Sequence, residues 1–200
     1  MKRMHTASAL FLMALLLGAS LAGCGAAAPT SEPLPTAEAT AAQPASAQEF
    51  FQVGNQHARV GEFEEAISAY QAALELEPDH VSAMTNLGVA YYNNGQLDEA
   101  VSEYLKALAV SPDDEAIHSN LAAAYVQQGK LEEALASYTR ALEIEPTLSQ
   151  AYFGLGVVYM QMEQTEDAIQ AFENFQKYDN GEDSVATSQA EQYLNQLRGQ

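Results

Sequence analysis

The chain has 200 residues, and its 27 Asp and Glu outnumber its 8 Lys and Arg, giving a formal charge of −19. A surface this acidic repels nucleic acid and anionic lipid headgroups, which need clustered cations for binding, so both are excluded as primary partners. A single cysteine excludes an internal disulfide, and the length admits one domain of ordinary size with some chain to spare.

The first segment has three parts. Lys2 and Arg3 make a positive start, Ala9 to Leu21 (ALFLMALLLGASL) is an apolar run, and the small residues Ala22 and Gly23 precede Cys24. This is the layout of a secretory signal peptide, and the run is shorter than the roughly 20 residues a transmembrane helix needs. The stretch Leu21-Ala22-Gly23-Cys24 resembles the lipobox of bacterial lipoproteins. That resemblance implies that residues 1–23 are removed and that Cys24 carries the lipid. It also implies a bacterial cell-envelope location: the outer membrane, facing the periplasm, in a Gram-negative source, because Gly25 is not the Asp that favours inner-membrane retention, and the outer face of the plasma membrane otherwise. Two competing readings are an ordinary signal cut after Ala28 and an uncleaved anchor. Two or three acyl chains hold a protein firmly to a bilayer, whereas one chain binds only marginally.

Residues 24–46 follow as a tether rich in Ala, Pro, Thr and Ser, with Leu34 as its one large apolar side chain. Such a composition buries too little surface to offset its ordering entropy.

From residue 47 the chain repeats every 34 residues. Pro78, Pro112 and Pro146 keep this step, as do Ala66, Ala100, Ala134 and Ala168, and the aromatics Tyr70, Tyr104, Tyr138 and Phe172. Gly61, Gly95 and Gly129 keep it too, with Glu163 in the fourth place. Met84, Leu87, Gly88 and Tyr91 fall on one stripe of a helix, and Ala100, Tyr104 and Ala107 on one stripe of the next. Gly88 and Ala100 are read as small because two helix backbones approach there, and Gly95 as a helix end with positive φ.

This pattern resembles the tetratricopeptide repeat. The resemblance implies an all-α, right-handed superhelical solenoid of about four helix-turn-helix repeats (47–80, 81–114, 115–148, 149–182). A capping helix is expected over 183–200, where Ala186, Ala190, Tyr193, Leu194 and Leu197 form an apolar stripe.

Chemistry-bearing motifs are missing from the sequence. His57 and His118 stand at packing places, His80 in an inter-repeat turn and His5 in the signal. No pair has metal-ligand spacing, and the recurring acid pairs such as Glu132-Glu133 read as helix starts. No catalytic residue, metal, cofactor or small-molecule substrate is expected.

The family's concave face implies a protein or peptide partner. Its inward places fall here on Phe51, Asn55, Thr85, Asn86, Tyr92, Asn93, Ser119, Asn120, Gln127, Phe153 and Gln161. The first helices of repeats 2 and 4 carry no charge, that of repeat 3 only Glu115 and that of repeat 1 Glu49 and Arg59, so a neutral inner wall is expected inside an acidic outer one. An amide both donates and accepts, so Asn86 and Asn120 suit an extended backbone; the competing reading is that they only satisfy neighbouring helix groups. The family's carboxylate clamp is not expected, because Phe51, Ala116 and Asn120 stand where its cations belong. The chain is similar in layout to lipoproteins that assist pilus or secretin assembly and to those that scaffold cell-wall enzymes. The rival expectation is a self-associating structural module with no peptide ligand.

Overall fold

The computed structural model describes residues 46–179 and 184–199. The signal with His5, Cys24, the tether up to position 45, and Asn180-Gly181 lie outside the described residues.

Nine helices make up the described fold: α1 (Ala47–Val60), α2 (Phe63–Leu76), α3 (Val81–Asn93), α4 (Leu97–Val110), α5 (Glu115–Gln127), α6 (Leu131–Ile144), α7 (Ser149–Gln161), α8 (Thr165–Asp179) and α9 (Ser184–Leu197). They pair as α1/α2, α3/α4, α5/α6 and α7/α8, and each pair packs on the next. The first helices also touch across repeats, α1 with α3, α3 with α5 and α5 with α7, and the second helices have no comparable contacts among themselves. Closer approach on one side bends the stack. The first helices therefore form an inner wall and the second helices an outer one. This is the all-α repeat solenoid that the 34-residue spacing predicts.

Local signals set the boundaries. Ser46 caps α1 in a reciprocal box: Glu49 N–H donates to Ser46 Oγ at 3.2 Å and Ser46 N–H to Glu49 Oε2 at 3.0 Å. Asp114 caps α5 by accepting from Ile117 N–H at 3.0 Å. His80 caps α3, its Nδ1 accepting from Ala83 N–H at 3.2 Å; the sequence places it only in a turn. The turns between paired helices close on Gly61, Gly95 and Gly129 with φ of 81°, 79° and 73°. Glu163 takes the fourth turn at φ 60°, the one non-glycine with positive φ among the described residues. Left-handed backbone costs a side-chain-bearing residue roughly 1–2 kcal/mol, so Glu163→Gly should stabilise the fold by about 1 kcal/mol. Urea unfolding would register this as a higher midpoint, and an unchanged midpoint would mean that the turn stores no strain.

The core is built from rings laid on glycines. A Cβ on Gly88 would lie 2.6 Å from Tyr104 Cε1, one on Gly54 2.5 Å from Tyr70 Cε1, and one on Gly156 2.6 Å from Phe172 Cε1. This corrects the expectation that Gly88 is small to admit a second helix backbone, because the ring of Tyr104 fills that space. Repeat 3 carries Ala122 at the equivalent place. There the tip of Tyr138 lies against Gly154 of the following repeat, where a Cβ would be 2.5 Å from the hydroxyl. At the C-terminal end Phe175, 1% exposed, replaces the alanines Ala73, Ala107 and Ala141 and packs with Phe172, Ala190 and Leu194. Helix α9 turns Ala190 and Leu194 inward and leaves Gln189, Glu191, Gln192, Asn195 and Gln196 exposed.

Candidate functional site

The period places inner-wall residues in rows that run across the repeats. Asn93, Gln127 and Gln161 form one row near the ends of α3, α5 and α7, and all three are exposed. Asn93 Nδ2 donates to Val89 O at 2.9 Å, which turns that amide back onto its own helix. Thr85 does the same, its Oγ1 donating to Val81 O at 2.9 Å.

A second row holds Phe51, Thr85, Ser119 and Phe153. The two rings at its ends are half-buried and already packed. Phe51 lies 5.0 Å from the His80 ring and 5.9 Å from Tyr70. Phe153 stands edge-on to Phe172 and Phe175 at 5.7 and 5.3 Å, within reach of Tyr193 on α9. A cleft of about 470 Å³ beside it is lined by Ser149, Gln150, Val185 and Gln189 among others. It belongs to the C-terminal cap rather than to the middle of the inner wall.

The third row is Asn86, Asn120 and Gly154, and its members differ in their partners. The Tyr70 hydroxyl donates to Asn55 Oδ1 at 2.7 Å, and Asn86 Nδ2 donates to the same oxygen at 2.8 Å. Asn86 thus donates to Asn55 across the first junction between repeats. The Asn120 side chain makes no hydrogen bond among the described residues.

Tyr92, half-buried on α3, completes the middle of the wall. Burial pushes the hydroxyls of Tyr70, Tyr104 and Tyr138 up, that of Tyr138 to about 12, and the nearby Tyr92 adds to the effect on Tyr104 and Tyr138. All three therefore stay neutral at physiological pH and keep their protons available to donate. In the sequence these tyrosines read as packing rings; in the structure the Tyr70 hydroxyl reaches Asn55 on α1 and that of Tyr138 lies against Gly154 on α7. The signal was present: each of these tyrosines precedes its inner-row partner by the same interval, Tyr70 with Asn86, Tyr104 with Asn120 and Tyr138 with Gly154.

Charge divides as the sequence indicates. Helices α3 and α7 carry none and α5 only Glu115, whereas α2, α4, α6 and α8 start with acid pairs. Three basic side chains form ion pairs on or beside the second helices. Lys106 pairs with Glu103, Arg140 with Asp113 and Glu143, and Arg198 with Glu173. His57 bonds Glu62 through Nδ1 at 2.6 Å, and His118 Nε2 lies 2.9 Å from Pro112 O. Among the described residues no group of His, Cys, Asp or Glu could hold a metal ion.

Tetratricopeptide-repeat family models match residues 54–116, 103–136, 123–163 and 149–181, which together run through all four helix pairs. The array belongs to the tetratricopeptide repeat family. Solved structures with the same fold include a MamA protein, at 22% identity and a TM-score of 0.63 over 76% of this chain and 89% of that one. YrrB, described as a TPR protein with an unusual peptide-binding site, aligns at 22% identity and 0.63 over 77% of each chain. The first TPR of Spaghetti (RPAP3), solved with the HSP90 peptide SRMEEVD, aligns at 28% identity and 0.58 over 59% of this chain and 94% of that one. No curated protein matches this chain. On the inner face of the tetratricopeptide array α3 and α7 thus carry no charge and α5 only Glu115, and Tyr70 and Asn86 both donate to Asn55 across the first junction.

Proposed function

We propose that this chain is a lipid-anchored adaptor of the bacterial cell envelope, holding a segment of another protein on its inner face and assisting the assembly of an envelope complex such as pilus, secretin or cell-wall machinery. The observation that carries the binding part is the single formal charge on α3, α5 and α7 within a strongly acidic chain. An uncharged wall loses water at lower cost than a charged one, so it is the surface most readily covered. YrrB and the RPAP3 repeat are relatives in fold that bind peptides. The acidic end of SRMEEVD is not the ligand expected here, because Phe51, Ala116 and Asn120 replace the clamp's cations.

The tether part rests on Cys24 and the residues before it. No helix among the described residues is long and apolar enough to cross a membrane, so a lipid on Cys24 would supply the attachment. Cys24→Ala should release the chain from the membrane fraction and abolish labelling by a radioactive fatty acid. A variant that stays membrane-bound and is processed as before would end the lipid-anchor reading while leaving the inner face untouched.

A further inference from the structure

Helix α8 ends differently from the second helices before it. At the 34-residue step Asp179 corresponds to Glu77, Ser111 and Glu145. Each of those three stands just past the end of its helix and is exposed or half-buried. Helix α8 instead runs on through Asp179, which is only 5% exposed. Thr187 on α9 holds the carboxylate, its Oγ1 donating to Asp179 Oδ2 at 2.8 Å.

The carboxylate so placed borders the cleft of about 470 Å³ that α7, α8 and α9 form at the end of the array. That volume falls within the roughly 300–1,000 Å³ of small-ligand sites. Phe175, itself buried, lines the cleft beside Asp179, and Phe153 stands edge-on to it at 5.3 Å. Val185, 67% exposed, adds an apolar surface from α9. Gln150 and Gln189 line it too and are exposed, which puts their amides at its mouth.

Charge decides what fits. Asp179 is the one ionisable side chain among the described residues that line the cleft. Lys177, two residues earlier, is turned to its neighbour, Nζ donating to the Tyr178 hydroxyl at 3.0 Å. An anion would therefore meet a carboxylate with no lining cation to balance it. A cation would meet the same carboxylate where little water screens the pair. Aromatic rings attract cations and also accept an apolar stem. A guanidinium suits the place better than an ammonium, because its planar set of five N–H donors lies on rings and reaches several acceptors at once, here the carboxylate and the two amides.

We propose that the cleft between α7, α8 and α9 binds an organic cation, a guanidinium or an ammonium on an apolar stem. Asp179 takes the charge, and Phe153, Phe175 and Val185 take the stem. The same chemistry is offered by a free small cation and by an arginine or lysine side chain of another protein. The site needs neither a segment lying along the inner wall nor a lipid on Cys24, so it goes beyond both parts of the proposed function.

The test is calorimetric titration of the full chain at about 0.15 M salt, where charges farther apart than a Debye length are largely screened. The probes are n-butylguanidinium, the neutral n-butanol and the anionic butyrate. The guanidinium should bind and the other two should not. Asp179→Asn keeps an oxygen for Thr187 and should weaken guanidinium binding about tenfold or more, the usual loss on removing one partner of a buried charge pair. It removes one of 27 acids, so attraction to the acidic surface at large would hardly change. Gln189→Lys sits at an exposed position and should also weaken binding, because it sets a competing cation at the mouth; it decides the matter if circular dichroism shows that Asp179→Asn has lost the fold. No binding of the guanidinium, equal binding of n-butanol, or binding that survives in every folded variant overturns the proposal. The peptide acetyl-Gly-Arg-Gly-amide then separates the sources. Tighter binding than n-butylguanidinium assigns the site to a partner's side chain, and weaker binding assigns it to a free small cation.

Discussion

Phe172→Ala should cost about 3–5 kcal/mol, the range for emptying a buried aromatic site. The ring is fully buried, rests on Gly156, and has Phe153 at 5.7 Å and Tyr193 at 5.2 Å. It ties α7, α8 and α9 into one cluster, so little around it can collapse into the space. A solenoid repeat touches only its neighbours, which confines the damage. Hydrogen exchange should speed up in α7, α8 and α9 while α1 to α4 keep their protection. Equal acceleration along the whole array would mean that the repeats unfold as a single unit and that the cap is not a separate cluster.

Gly88→Ala should cost about 1–3 kcal/mol, because the new Cβ enters the Tyr104 ring and cores tolerate added volume poorly. Repeat 3 shows how the same substitution is accommodated. It carries Ala122 at that place, and Tyr138 leans onto Gly154. The equivalent of Gly154 for Tyr104 is Asn120. Asn120→Gly in the Gly88→Ala background should therefore recover part of the loss, with a coupling of about 0.5–2 kcal/mol in a double-mutant cycle. In the parent background Asn120→Gly should only weaken α5 slightly, since Asn is itself a poor helix former. Additive effects would show that the ring cannot tip and that repeat 3 accommodates its alanine by other means.

The sequence carried the array plainly, since period, helix stripes and turn glycines all agree. Even the exception was legible: Glu163, out of pattern in the sequence, is the residue found at positive φ. The side-chain pairings across junctions were less legible. The family's inward places are defined by position, and position alone does not say whether a side chain already has a partner. Phe51 and Phe153 occupy inward places but are packed, the first by His80 and Tyr70, the second by the cap that ends the array. Asn86 and Tyr70 are held because both donate to Asn55 Oδ1, a contact between residues far apart in the chain. His80 reads as turn filler because its capping role depends on a backbone N–H that appears only once α3 has formed.

Acidity and neutrality are arranged by the same constraint. Each second helix starts with acids, where its dipole favours them, whereas α3 and α7 carry no charge and α5 only Glu115. The result is an inner face low in charge inside an acidic shell, and the lipid proposed on Cys24 would hold it near a bilayer.

The most direct test of that account is site-specific photocrosslinking in the native envelope. A photoreactive residue would be placed at Asn93 or Gln127 on the inner wall, and at Thr139 on the outer helix α6; all three are exposed. The account predicts one protein crosslinked from both inner positions and not from Thr139. Crosslinking of that protein from Thr139 as strongly as from the inner wall, or none from the inner wall, would contradict it.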